Sequence, residues 1–467
     1  MKIILNELHY NSTNIGFTMR KFLAFLFILF SITSYAQDKK NICLNDEGKK
    51  LDIINYRWWD NFNDPFLSNY ILYGIENNND LNIIESKVRE YKEFTKYTFG
   101  SELPSVSTSL IYANFKDMPL NKDTKVNFDG LMLPLSVNYE LDLFGKNRNK
   151  TQSTKKQLEA YELQRNASYI LYVSELSSLY FNIVKLNKII DLTNELILIK
   201  KSILRNARIR FENKLISEDK LNSYKEELKI VENKKIELLK NKNVLLTQLA
   251  VLIGNNPNDT KGLKFIDLYD LNIKFNVKQE FSSDVIFNRP DVLSSEKELE
   301  KANIDIKVAR KEFLPTFNIS GSVIFNNIAS GGFFSLSNAI KDIIAGCSQS
   351  LFVGGKKKAN LKMMNERYIQ MLETYKKVSL QAIKEINDSL QGMVYDFDIN
   401  TKNNENYSME LKNFNSNKIR YKNNLISNTE LLELKQKLIQ REIDLVSSKT
   451  QLIIDYISLY KSVGGKI

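Results

Sequence analysis

The chain repeats itself. The segment Arg210-Phe211-Glu212-Asn213-Lys214-Leu215-Ile216-Ser217 returns as Arg420-Tyr421-Lys422-Asn423-Asn424-Leu425-Ile426-Ser427, 210 positions later and without a gap. Leu103-Pro104-Ser105 returns as Leu314-Pro315-Thr316 after 211 positions, Leu143-Phe144 as Leu351-Phe352 after 208, and Leu249 with Gly254 as Leu459 with Gly464 after 210. Similarity by chance at one motif would not keep its spacing over the whole unit, so the 467-residue chain is read as a tandem duplication. The expected bounds are 58–262 for the first repeat and 263–467 for the second, behind a lead segment at 37–57.

Each copy reads as an approach helix, a Leu-Pro stop, two strands and a very long helical stretch. Prolines stand at 65, 104, 119, 134, 257, 290 and 315, which leaves more than a hundred residues after Pro134 and again after Pro315 without a helix breaker. In those stretches Leu176, Leu179, Ile183, Leu186 and Ile190, and likewise Ile383, Ile386, Leu390, Met393 and Phe397, step alternately by three and four, as a coiled-coil seam does. A helix from Gly145 to Arg210, or from Lys356 to Arg420, would run about 100 Å at about 1.5 Å per residue. Helices of that length exceed a compact domain and suit a tube or a stalk, although the seam alone also fits a soluble bundle.

The strands discriminate between kinds of tube. Leu131, Leu133, Leu135, Val137, Tyr139, Leu141 and Leu143 alternate with Ser136, Asn138, Glu140 and Asp142, giving one apolar and one polar face. Phe317, Ile319, Val323 and Phe325 against Asn318, Ser320, Ser322 and Asn326 repeat the pattern, and weaker strands are expected near Val106–Phe115 and Ile343–Phe352. Each is about the length of a membrane-crossing strand, roughly 9 to 11 residues. Four strands cannot close a barrel, and an open edge in lipid leaves backbone groups unpaired at several kcal/mol each. A spanning chain of this kind must therefore oligomerise: two copies would give the minimum of about eight strands, and three would give a twelve-stranded pore. An antiparallel sheet packed on helices in a soluble periplasmic protein is the plainer alternative.

Composition narrows the chemistry. The only histidine, His9, precedes an export signal, and Cys43 and Cys347 lie far apart with no CxxC, so no metal site, cofactor or redox pair is indicated. The net charge of +11 comes from lysines spread along the chain rather than gathered with aromatics, which reads as solvated helix faces and not as a nucleic-acid surface. Phe22 to Ile32 is unbroken apolar sequence after Arg20-Lys21 and before Ser34-Tyr35-Ala36, the pattern of a signal peptide over 1–36 and too short for a membrane span. Met19 stands directly before the basic pair and is an alternative start. Lys39 to Ile42 separate Cys43 from the apolar run, which favours an ordinary thiol over a lipid-modified cysteine.

Trp58-Trp59, Asp64-Pro65, Tyr139-Glu140-Leu141-Asp142-Leu143-Phe144-Gly145, Arg289-Pro290-Asp291-Val292, Leu459-Tyr460 and Gly464-Gly465 together resemble the TolC-type outer-membrane efflux protein family, in its multidrug and metal efflux branch, over nearly all of the mature chain. The resemblance implies a mainly α fold with a small β part. Long antiparallel helices would form an α-helical barrel through the periplasm, and four strands per subunit would contribute to a trimeric twelve-stranded barrel in the outer membrane. It implies passive conduction of small molecules and no enzyme activity. The implied partners are two further copies, outer-membrane lipid, a periplasmic adaptor and an inner-membrane pump. The family's tips match Lys214, Leu215, Ile216 and Ser217, and Asn424, Leu425, Ile426 and Ser427, as adaptor-docking turns. An acidic constriction ring falls on Glu430 and Glu433, one turn apart on one helix face, whereas the first repeat has Lys220 and Ser223 there. The family's usual tip glycine is replaced by Lys214 and Asn424, of which asparagine better tolerates a left-handed conformation. Two other functions compete: the outlet of a type I protein-secretion system, from which the Arg289 motif leans away, and a non-conducting coiled-coil interaction protein.

Overall fold

The computed structural model describes residues 57–121, 124–271, 284–326 and 339–465. The expected signal segment, Met19, His9 and Cys43 lie outside them. A short turn of 3-10 helix at Trp58–Phe62 leads into α1 (Pro65–Asn77) and α2 (Asn79–Gly100). Strands β1 (Ser105–Thr108), β2 (Ile111–Asn121) and β3 (Thr124–Leu141) follow, then α3 (Lys146–Glu212) and α4 (Glu218–Leu252). The second series is α5 (Asp284–Phe287), α6 (Pro290–Lys311), β4 (Thr316–Asn326), β5 (Ile340–Ser348), α7 (Lys356–Lys422) and α8 (Asn428–Ser462). Three pairs of corresponding helices match in length to the residue. Helices α2 and α6 have 22 residues, α3 and α7 have 67, and α4 and α8 have 35.

The described residues form two compact units. One comes from Lys96–Gln152 and Ile304–Met364 and holds the sheet. Its spatial order is β1, β3, β4, β5, with β2 also on β3, all antiparallel. Strands β1 and β2 share one register on β3, with Thr108 opposite Leu135 and Ile111 opposite Met132, so they are a single strand interrupted at 109–110. Pro134 explains the gap. Its carbonyl accepts from the Ser109 amide at 3.4 Å, but it has no N–H to return the bond. The four-strand expectation therefore holds in spatial terms, with different limits. Strand β3 stops at Leu141 rather than Leu143, because Asp142–Gly145 turns, with the Gly145 amide donating to the Asp142 carbonyl and Gly145 at φ 69°. Strand β5 runs Ile340–Ser348, not Ile343–Phe352, and Leu351 and Phe352 lie beyond it. Strand β3 is also longer than expected at 18 residues: only Met132–Leu141 pairs with β4, and the remainder extends as a hairpin with β2.

The other unit comes from Leu51–Thr95, Ser153–Asn303 and Asn365–Ile467 and is helical. Its core gathers Trp58, Trp59 and Phe62 against Phe181 of α3 and Tyr456 and Tyr460 of α8, with Trp58 stacked on Tyr460 at 4.2 Å. Asp64 starts α1 as its N-cap, accepting from the amides of Phe66 and Leu67, and Pro65 fits the first helical position. The other oxygen of this buried carboxylate accepts from the Tyr180 hydroxyl at 2.5 Å. That hydroxyl in turn accepts from the Ile266 amide, and Tyr70 bonds both the amide and the carbonyl of Lys264, so the non-helical segment after α4 is fastened to the core.

The first expected seam is largely buried, with Leu176 and Ile183 at 0% exposure, Leu186 and Ile190 nearly so, and Leu179 half-buried. The second is only half covered. Ile386 and Met393 are buried, whereas Ile383 and Phe397 are exposed. The Trp58–Phe62 turn and the segment fastened by Tyr70 and Tyr180 lie over the first repeat's helix, whereas Leu390 and Met393 are the α7 residues in the shared core.

Candidate functional site

The two helix–helix tips are built alike by unlike sequences. Helix α3 ends with Lys214 at φ 57°, and α7 ends with Asn424 at φ 57°. The Leu215 amide reaches back to the Arg210 carbonyl at 2.8 Å and the Lys214 amide to Phe211 at 2.8 Å; Leu425 to Arg420 at 2.9 Å and Asn424 to Tyr421 at 3.0 Å repeat the pattern. This is the left-handed closure that satisfies the last carbonyls of a helix. The following helices start on Ser217 and Ser427, whose hydroxyls accept from the amides of Lys220 and Glu430. Sequence thus places both left-handed residues correctly.

At each apex one apolar side chain is unburied: Leu215 is 67% exposed and Leu425 65%. Lys214, Ser217, Asn424 and Ser427 are exposed as well. Ile216 and Ile426 are half-buried, and Ile216 packs beside Leu204, Ala207 and Leu221. Glu430 and Glu433 are both exposed near the start of α8. Glu430 occupies the third position after the Ser427 cap, where a carboxylate also complements the helix dipole, so it has a local structural use at that site.

The sheet has two chemically distinct faces, and the register identifies them. Opposed residues share a face, so Val106 with Val137, Leu135 with Val323, Tyr139 with Ile319, and Leu141 with Phe317 form one continuous apolar surface. It continues onto β5 through Ala345 opposite Ile319 and Ile343 opposite Gly321, and ends there at Lys341 opposite Val323. Val106, Tyr112, Leu131, Leu135, Val137 and Ile343 are exposed on it. Ser136, Asn138, Ser320 and Ser322 lie on the other face, as the alternation predicts. Among the described residues, the outer strands of this sheet, β1–β2 and β5, each pair on one side only.

The Arg289-Pro290-Asp291-Val292 motif is a clamp within the helical unit. Arg289, whose side chain is 6% exposed, grips Asp291 with two nitrogens at 3.0 and 2.7 Å, Glu385 of α7 at 2.8 Å, and the Ser462 carbonyl at the end of α8 at 2.8 Å. Gly464, at φ 72°, lies so close that a Cβ there would come within 3.2 Å of the Arg289 Cγ. Sequence reading took this motif as a family signature and missed its mechanical role; a buried arginine flanked by Pro and Asp was the available signal. Also unforeseen is Asp455 of α8, whose carboxyl is pushed up to about 7 by burial and by a hydrogen bond with Asp396 of α7. Among the described residues no cluster of His, Cys, Asp or Glu could hold a metal ion, and no helix is long and apolar enough to cross a membrane, which says nothing of the sheet.

Solved structures that share this combination of long paired helices and a small antiparallel sheet include outer-membrane channels. The *Campylobacter jejuni* CmeC outer membrane channel superposes with a TM-score of 0.79 at 22% identity, covering 88% of each chain. VceC of *Vibrio cholerae* gives 0.76 at 17% identity, over 87% of this chain and 98% of that one. The family model for outer membrane efflux proteins matches residues 76–254 and 282–465, and the chain belongs to that family, whose place is the outer membrane. Among curated relatives, the probable outer membrane lipoprotein SilC of *Salmonella typhimurium* is 25% identical over 343 residues, 71% of each chain. The cation efflux system protein CusC of *Escherichia coli* K12 is 22% identical over 427 residues, 88% of this chain and 89% of that one.

Proposed function

We propose that this chain is one subunit of a homotrimeric outer-membrane channel that passively conducts small molecules from the periplasm outward and carries out no chemistry of its own. The carrying observation is the sheet: an exposed apolar face bounded by strands that pair on one side only. In lipid each unpaired edge group would cost several kcal/mol, so the edges of neighbouring copies must complete one another. Three copies of the four-strand path close a twelve-stranded barrel, and the ten-residue ladder Met132–Leu141 matches the length of a membrane-crossing strand. The matched helix lengths support reading the chain as two repeats, taken here as 58–262 and 263–467. The relatives named as cation efflux and efflux-pump components support assembly with a periplasmic adaptor and an inner-membrane pump. In this reading the adaptor meets the tips at Lys214–Ser217 and Asn424–Ser427, with Leu215 and Leu425 as apolar contacts. Glu430 and Glu433 from three copies line the mouth, where their summed negative potential favours cations.

Native mass spectrometry of the detergent-extracted protein gives the subunit number, and planar-bilayer recording gives the conductance. A trimer whose Glu430→Ala/Glu433→Ala variant conducts more than wild type is the expected result. A monomer or dimer defeats the barrel, and unchanged conductance in an open trimer removes the two glutamates from the constriction.

A further inference from the structure

Where β3 and β5 end and β4 begins, a cavity of about 870 Å³ opens among four lysines, Lys146, Lys311, Lys356 and Lys357, and one carboxylate, Glu312. Two of these cations are engaged: Lys146 pairs with Glu140 at 2.7 Å, and Lys311 donates to the Gly145 carbonyl at 3.1 Å. Glu312 accepts from Asn360 at 3.0 Å. Lys356, Lys357 and the adjacent Lys358 have no carboxylate partner among the described residues, and Lys356 and Lys358 are exposed. They open a 67-residue helix with no acidic residue in its first turn, the end at which the helix dipole disfavours cations. The cluster therefore stands where the helix dipole opposes it.

Separated from its start by three residues stand Leu351 and Phe352, which are 95% and 89% exposed, more than any other large apolar side chain described. The matching Phe144 of the first repeat lies 6.2 Å from the Phe317 ring, on the apolar face of the sheet. An apolar pair followed within a few residues by a run of cations is the arrangement of a membrane-interface anchor, with ring and aliphatic groups in the hydrocarbon and ammonium groups at the headgroups. We propose that this patch seats the headgroup of an anionic phospholipid, with Leu351 and Phe352 entering the acyl layer and Lys356, Lys357 and Lys358 meeting the phosphate. The assignment rests on the reading of the sheet as membrane-spanning, which places this end of the ten-residue ladder at the interface. The cation excess selects an anionic over a zwitterionic headgroup. Each lysine at a membrane surface contributes about fivefold, and screening leaves about tenfold for the three together.

The test is native mass spectrometry of the full chain in detergent, with either dioleoyl phosphatidylglycerol or dioleoyl phosphatidylcholine added. Phosphatidylglycerol is expected to be retained about tenfold more, with the preference abolished in K356Q/K357Q/K358Q, and L351S/F352S is expected to lower retention of both lipids. Equal retention of the two lipids by wild type, or an undiminished preference in the triple variant, overturns the assignment. So does displacement of the lipid by millimolar inorganic phosphate, which would mark a site for free anions. The same spectra report subunit number. A trimer without lipid preference removes this site alone, whereas a monomer removes the barrel and the lipid site together.

Discussion

Replacing Arg289 with alanine should loosen two distant parts of the sequence at once. The guanidinium holds Asp291, Glu385 and the Ser462 carbonyl, so its loss frees the start of α6 and the last turn of α8 together. Breaking a buried ion pair by removing one partner costs about 3 to 5 kcal/mol. The Asp291 and Glu385 side chains are 39% and 29% exposed, so water recovers part of that, and about 2 kcal/mol remains. At about 1.4 kcal/mol per tenfold this is roughly a 30-fold rise in local opening. Hydrogen exchange read by mass spectrometry should show that loss of protection in peptides covering 286–295 and 459–465, with the tips unchanged. Arg289→Lys keeps the charge but not the planar fork, and should lose about fivefold. If Arg289→Ala weakened protection at 290–293 and left 459–465 as in wild type, the arginine would not join the two segments and the clamp argument would fail.

Three further outcomes follow from particular contacts. Because burial and Asp396 raise the Asp455 carboxyl to about 7, above its unfolded value of about 3.9, its stabilising contribution is complete below about pH 4 and is lost as pH rises through 7. Asp455→Asn should therefore melt higher than wild type at pH 8 and no differently at pH 4; a gain of equal size at both would exclude carboxylate repulsion as the cause. Lys214→Gly removes a Cβ from a left-handed position and should slow exchange across 210–217 by up to about fivefold, from about 1 kcal/mol, with a smaller gain for Asn424→Gly; reversal of that order would show that something other than backbone strain sets tip stability. Tyr180→Phe takes the hydroxyl from the buried Asp64 and the Ile266 amide, at a cost of about 2 kcal/mol, and limited proteolysis within 255–271 should accelerate about 30-fold.

The architecture was legible because its signals are long-range and redundant. An offset held at 208 to 211 positions over four motifs survives local substitution, and a proline-free stretch with regular apolar steps permits little besides helix. Both left-handed tip residues, Lys214 and Asn424, could be identified because they stand where the resembled family carries its tip glycine. Strand ends were less legible. Alternation through Leu143 carried no sign that Gly145 would turn the chain two residues earlier, and the break opposite Pro134 depends on which neighbour that residue's amide would have faced. Pairs such as Asp396 with Asp455, or Arg289 with Glu385, join residues 59 and 96 positions apart, and no local pattern brings them together. The roles of Glu430 and Glu433 depend on neighbouring copies rather than on contacts within one chain.

The equal lengths of α3 and α7, and of α4 and α8, restrict how this gene can change. Deleting one residue from a helix rotates everything beyond it by about 100° and draws it back by about 1.5 Å. In α7 alone, such a deletion would swing Asn424 and Leu425 off the face that Lys214 and Leu215 keep in the other arm. A loss of seven residues restores the facing to within about 20°, yet shortens that arm by about 10 Å. Length variation should therefore enter in paired steps of about seven residues, cut from both repeats together, while single-residue insertions collect in the turns and hairpins between the helices.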